Sequence, residues 1–377
     1  MNSIVHRALG WAQAAFAAAA LTFTAASSAQ AQVDITDVLG RHVTLEKPAE
    51  KVMLGFYFED YIAITGPTAI DRLKAISLTY WKGYRPLQYE TYLKAFPKIA
   101  DLVDVGDVDA GTMSAEKIIA SRPDVVILSA GQYHYLGAAA HTIEQVGIPL
   151  VVVDYNAQTV EKHVASTLII GQVMGTEDRA HKLADQYKAK IADTLARVEK
   201  ATKDVKPNVY VELGQKGAGE YGNSYGAGMW AGTIDLAGGR NIAAGQIPGP
   251  GPLNPEYVLS SKPDAIFLAA SEWVSLPSSI LLGFGIPVET TRERAAPYLK
   301  RAGWQDLPAV KNGNVHVIYH GGNRTIYDYA YLRYMAKALH PEAFADVDPE
   351  AELKAYYETY LPITLDGTFM LKIGEKK

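Results

Sequence analysis

The chain has 377 residues, a formal net charge of −5 and no cysteine. Disulfides, thiolate metal sites, a cysteine nucleophile and a lipid on a signal-peptide cysteine are therefore not expected. The mildly acidic balance points to neither nucleic acid nor a membrane surface as the main partner, and the length has room for two domains of ordinary size.

The N-terminus carries a basic stretch (His6, Arg7), an Ala-rich apolar run near 8–26 and the small-x-small pattern Ala29-Gln30-Ala31. Residues 1–31 are expected to be a cleaved secretory signal peptide. Gln13 interrupts the run and no basic flank follows it, which argues against a membrane anchor. The mature protein is then expected in a bacterial periplasm, not lipidated.

A polar lead with a predicted hairpin over 35–52 comes next, followed by strands near 51–55, 73–78, 124–129 and 149–153 with helices between them. These make an N-terminal α/β lobe over 32–157. Residues 158–204 read as a helical linker broken only at Gly175-Thr176, where Thr176 with Glu177 and Asp178 is expected to cap the second helix. Strands resume at 208–213, 264–269 and 314–318, giving a C-terminal α/β lobe over 205–377. Its closing segment, 341–373, has helix signals and the aromatic stretch AYYETYLP. The predicted fold class is α/β: two α/β lobes joined by a single long helical linker, with the ligand cleft between them.

One phrase occurs twice, MSAEKIIASRPDVVIL at 113–128 and LNPEYVLSSKPDAIFL at 253–268. Each copy puts a Glu on a helix's first turn (Glu116, Glu256). Each then breaks the helix at Pro123 or Pro263 and launches an apolar strand that reads as buried. Shared grammar at a fixed offset argues for two lobes of similar build.

The opening TDVLGRHVTLEKPAEKVM, the paired helix-to-PDVVIL phrases, IDLAGGRNIAA (234–244) and RAGWQDLPAVKNGNVHVI (301–318) together resemble class III periplasmic substrate-binding proteins. These are ABC-importer receptors for ferric siderophores, haem, cobalamin and, in some members, molybdate or tungstate. The resemblance spans essentially the whole mature chain and implies two lobes on one rigid helix, a monomer, no enzymatic activity and no cofactor of its own. It implies two partners, a small-molecule metal complex and an ABC permease dimer in the inner membrane. It also implies that Glu116 and Glu256 dock into arginine pockets of that permease, one carboxylate per lobe. The bland alternative is that each merely complements its helix dipole.

Loops beyond the strand ends hold the candidate ligand contacts. In the first lobe these are Tyr57, Tyr80, Tyr84, Tyr133, His134 and Tyr135; in the second, Glu220, Tyr221, Tyr225, Trp273, His320 and Arg324. Tyrosine stacks on flat ligands and also hydrogen-bonds them. Phenolate and imidazole suit ferric or haem iron, so Tyr133, His134, Tyr135 and His320 are the metal-ligand candidates. Arg324 offers a fork for carboxylate or oxyanion. The stretch 217–222 matches G-x-G-x-x-G after a strand, but no helix signal follows at once, so a dinucleotide site is not expected. The expected cargo is a ferric chelate, a siderophore complex before haem, cobalamin, molybdate or tungstate. An exported, chelatase-like tetrapyrrole-modifying enzyme is the alternative of another class.

Overall fold

The computed structural model describes residues 32–202 and 206–373. The expected signal peptide, 1–31, lies outside the described residues. Two five-stranded sheets form the two lobes.

The N-terminal sheet runs Val103–Asp104, Leu73–Ile76, Val52–Leu54, Val125–Ser129, Leu150–Val153, all parallel. Val52–Leu54, Val125–Ser129 and Leu150–Val153 are continuous runs of buried residues, as a sheet covered by helices on both faces requires. The hairpin Val33–Thr36 with His42–Leu45 is tied on through Asp37. That carboxylate accepts from the Val152 N–H at 3.1 Å and holds Arg41 in an ion pair at 2.8 Å.

The second sheet runs Arg240–Asn241, Asn208–Leu213, Ala265–Ala270, Val315–Tyr319, with Met370–Ile373 antiparallel at the edge. That last strand and the two-residue strands Val103–Asp104 and Arg240–Asn241 were not expected, because segments so short carry no readable period.

The repeated phrase is structural in both lobes. Its helices are Ala115–Ala120 and Pro255–Ser261 and its strands Val125–Ser129 and Ala265–Ala270. The basic residue before each proline takes a left-handed conformation, φ 48° at Arg122 and φ 46° at Lys262. The following Asp then accepts backbone N–H groups at the start of the neighbouring strand: Asp124 from Lys51 at 2.9 Å, Asp264 from Asn208 at 2.8 Å.

Two helices join the lobes, Val160–Met174 and Glu177–Ala201. The first packs on the N-terminal hairpin and on Leu150–Val153. The second buries Ala180, Leu183, Ala184, Tyr187, Ile191 and Val198, an i, i+3/i+4 stripe. Between them Gly175 is left-handed at φ 66°. Thr176 takes the expected N-cap position with Glu177 and Asp178 on the first turn, but its side chain makes no capping bond and its hydroxyl has no partner among the described residues. Arg179 fastens the start of the long helix to both lobes, donating to the Ala63 carbonyl at 2.5 Å and the Tyr360 carbonyl at 3.1 Å.

Candidate functional site

Strand order in the N-terminal sheet reverses between Val52–Leu54 and Val125–Ser129. A crevice is expected beyond the carboxyl ends of strands at such a point. Gly55 follows the first of these strands. A Cβ there would stand 2.2 Å from Gln132 Oε1, so glycine is what lets Gln132 donate to the Gly55 carbonyl at 2.9 Å.

Two chambers meet at this place. The inner one, about 50 Å³, is walled by Phe56, Tyr57, Tyr80, Arg85 and Gln88 from the first lobe and by Arg324 from the second. The outer one, about 330 Å³, shares Phe56, Tyr80 and Arg324 and opens past Asp109, Tyr135 and Asn156. Phe56 is the partition: its ring meets Tyr57 at 4.6 Å and Tyr80 at 4.9 Å edge-on, and the Arg324 guanidinium lies 5.5 Å from its centroid.

Arg85 sits where the helix Leu78–Tyr84 stops and Pro86–Ala95 begins. Pro86 cannot continue the first helix but opens the second at its N1 position, and this corner turns Arg85 inward. Burial opposes its charge. The phenols of Tyr319, Tyr80 and Tyr327 and the Glu59 carboxyl outweigh that and raise its pKa. His320 stays neutral, because burial and the charges of Arg324 and Arg85 hold it well below its ordinary value. Its Nδ1 accepts from Trp230 Nε1 at 3.3 Å.

The lobes are bolted together behind the chambers. Glu59 accepts hydroxyls from Tyr92 (2.8 Å) in its own lobe and from Tyr327 (2.7 Å) and Tyr357 (2.8 Å) in the other. Asp60 accepts the Ile326 N–H at 2.7 Å, and Gln158 donates to the Asn323 carbonyl. Burial raises the pKa of both carboxyls. A further bolt joins Glu272 of the second lobe to the Gln88 N–H at 2.8 Å, with Phe284 N–H (3.2 Å) and Tyr319 hydroxyl (3.1 Å) on the same carboxyl.

Burial pushes Glu272 up to about 7, against its hydrogen bonds and the charge of Arg85. The folded protein therefore keeps a proton that the unfolded chain has released. This stabilisation is complete below pH about 4.5 and is lost as pH rises through about 7. The expected loss is on the order of 3 kcal/mol. Glu272→Gln should flatten that part of the profile, and urea unfolding at a series of pH values checks it. A variant with the parent's slope would remove Glu272 as the titrating group.

Of the twelve expected ligand contacts, Tyr57, Tyr80 and Arg324 line the inner chamber and Tyr135 the outer one. Tyr84, 38% exposed, packs its ring tilted against Tyr80 at 4.9 Å and lines neither chamber. Tyr133, His134 and Tyr135 do not converge. They lie in the helix Ala130–Leu136, where successive side chains point about 100° apart. Tyr133 turns back under Arg41, 4.2 Å from its ring, and His134 is exposed. Tyr225 and Trp273 are buried around His320, with ring centroids 6.2 and 6.1 Å from its own, and none of the three lines either chamber.

Glu220 and Tyr221 belong to a different structure, the anchor of the glycine-rich loop. Tyr221 accepts from Trp304 Nε1 at 3.0 Å under the guanidinium of Arg301, while the Glu220 side chain is exposed. Sequence reasoning missed Phe56, Glu59, Asp60, Arg85, Gln88 and Glu272. A carboxylate directly after an apolar strand, as in SEW at 271–273, was the available signal for Glu272. Among the described residues no group of three or more His, Cys, Asp or Glu side chains could hold a metal.

Glu116 and Glu256 are exposed on equivalent first turns and line neither chamber. Ser114 Oγ donates to Glu116 at 2.7 Å and lowers its pKa.

Residues 78–320 match the periplasmic binding protein family. The TroA-like periplasmic binding protein FepB from Veillonella parvula is 33% identical, with a TM-score of 0.86 over 91% of this chain and 100% of that one. The molybdate-bound MolA of Haemophilus influenzae shares the fold at 18% identity and a TM-score of 0.67, covering 89% of this chain and 99% of that one. A relative in Bacillus subtilis (strain 168), the ABC transporter substrate-binding lipoprotein YvrC, is 23% identical over 268 residues, 68% of this chain and 73% of its own. Two parallel-sheet lobes, a cleft at a switch point and a family match over most of the chain place this protein in the periplasmic binding protein family, as a non-enzymatic solute-binding component of an ABC transporter.

Proposed function

We propose that the protein captures an anionic iron complex, a ferric siderophore, in the periplasm and delivers it to an inner-membrane permease, acting there as a monomer without a lipid anchor. The observation that carries the cargo reading is the pair of arginines, Arg85 and Arg324, brought from opposite lobes to one chamber wall. Two guanidiniums on a low-dielectric wall favour a ligand with negative charge. The tyrosines beside them supply stacking faces for its organic part. A chelate brings its own iron donors, which suits a cleft in which Tyr133, His134 and His320 point elsewhere. The cysteine-free sequence supports a form without the lipid that the name of the Bacillus relative implies.

Native mass spectrometry with metal analysis of protein purified from its host's periplasm tests this. The expected result is one iron and one chelator mass per chain, with a ligand-to-metal band in the visible. A haem Soret band, a corrinoid spectrum or molybdenum in place of iron would overturn it.

A further inference from the structure

The inner chamber holds hydrogen-bond donors that the fold leaves unused. Four residues of its wall each carry a buried polar atom with no partner among the described residues: the Tyr57 hydroxyl, Arg85 Nη2, Gln88 Nε2 and Arg324 Nε. Leaving a buried donor unpaired forfeits the hydrogen bond it made to water. Four such residues around one space of about 50 Å³, two of them with guanidiniums, point to an acceptor that arrives from outside.

The acceptors nearby are already engaged. Glu59 takes three tyrosine hydroxyls, Asp60 takes the Ile326 N–H, and Gln88 Oε1 takes Trp81 Nε1 at 2.9 Å. The missing group is therefore an acceptor, negatively charged to match two guanidiniums, and small. The chamber holds roughly three or four water positions, which is the size of a planar carboxylate. Behind the Phe56 partition the outer chamber, about 330 Å³, has room for a larger body, and Arg324 and Tyr80 wall both spaces.

We propose that the inner chamber is a carboxylate receptor: a pendant carboxylate of the cargo enters between Arg85 and Arg324 while the metal-bearing body stays in the outer chamber. This rests on the iron-complex reading for the body alone. It names the cargo class as ferric complexes that keep a free carboxylate, and Arg85 as the residue that selects them.

Fluorescence titration of the mature chain with three probes tests it: ferric citrate, a ferric trihydroxamate without carboxylates, and molybdate. The parent should bind ferric citrate most tightly. Arg85→Gln should weaken that binding by roughly 30-fold or more, and Arg85→Lys should recover part of it. Trihydroxamate affinity should move less than about threefold, since it leaves the chamber empty. Thermal unfolding confirms that each variant is folded. Should Arg85→Gln fail to fold, Arg324→Gln carries the same expectation from the other lobe.

A folded Arg85→Gln that keeps the parent's affinity for ferric citrate overturns the proposal, as does a parent that does not bind ferric citrate. A parent that binds the trihydroxamate more tightly than ferric citrate sinks the carboxylate receptor and leaves the iron-complex reading standing. Arg85-dependent binding of molybdate in place of ferric citrate makes the guest a free oxyanion, and both readings then fall.

Discussion

Replacing Glu116 and Glu256 together by alanine is expected to stop transport while leaving cargo affinity within about twofold of the parent. The two carboxylates stand on the first turns of equivalent helices, one per lobe, and both are exposed. Ser114 orients one of them and keeps it ionised. At the surface a first-turn Glu does no more than complement its helix dipole, so the fold survives the change. The loss falls on the partner. A carboxylate received by a permease arginine contributes about 1.5–3 kcal/mol, and losing two at once weakens docking roughly 100-fold or more. Uptake of labelled iron by cells that carry only the variant, beside a titration of the purified variant, separates the two effects. Unchanged uptake would remove these residues from docking, whereas lost affinity would move them into the cargo site.

The largest effect on stability is expected at Arg301. Its guanidinium meets the fully buried Glu212 carboxylate at 2.6 and 3.0 Å and holds the glycine-rich loop through the Ala218 and Glu220 carbonyls, both at 2.9 Å. Rings of Tyr221, Trp304 and Tyr298 enclose it at 4.2, 4.5 and 4.7 Å. Arg301→Leu leaves Glu212 in the core with only the Tyr210 hydroxyl and the Gly222 N–H. Breaking a buried pair in this way costs about 3–5 kcal/mol. The double variant Glu212→Leu/Arg301→Leu should regain most of that, because removing both charges removes the desolvation penalty. Urea unfolding of the three proteins checks it. A single-variant loss below about 1 kcal/mol would show that Glu212 finds another partner.

The architecture was legible because one inner strand in each lobe, Val125–Ser129 and Ala265–Ala270, is an apolar run launched by Pro-Asp, and that pair is where the chain both breaks a helix and clamps a neighbouring strand. The site was less legible for a physical reason. Arg85 is a corner residue between two short helices, and its importance comes from Arg324, brought beside it only by the meeting of two lobes. Nothing local records that. Glu59 and Asp60 acquire their role only when Tyr327, Tyr357 and Ile326 arrive from the far end of the chain. Tyr133-His134-Tyr135 misled in the opposite sense. Neighbours in sequence suggest one cluster, whereas a helix scatters them. Much of the tyrosine enrichment also serves the core: Tyr61, Tyr92, Tyr155, Tyr210, Tyr319 and Tyr327 are fully buried.

The tyrosine-bound Glu59 has a consequence for traffic through the transporter. Tyr327 and Tyr357 fasten one lobe to a carboxylate of the other, a tie that opposes any change in the span between Glu116 and Glu256. If Glu116 and Glu256 are the docking points, an unloaded receptor would offer the permease the same two charges as a loaded one and compete for the same docking place. The supply of receptor would then have to match the supply of cargo, since beyond that point each added copy would inhibit its own import route.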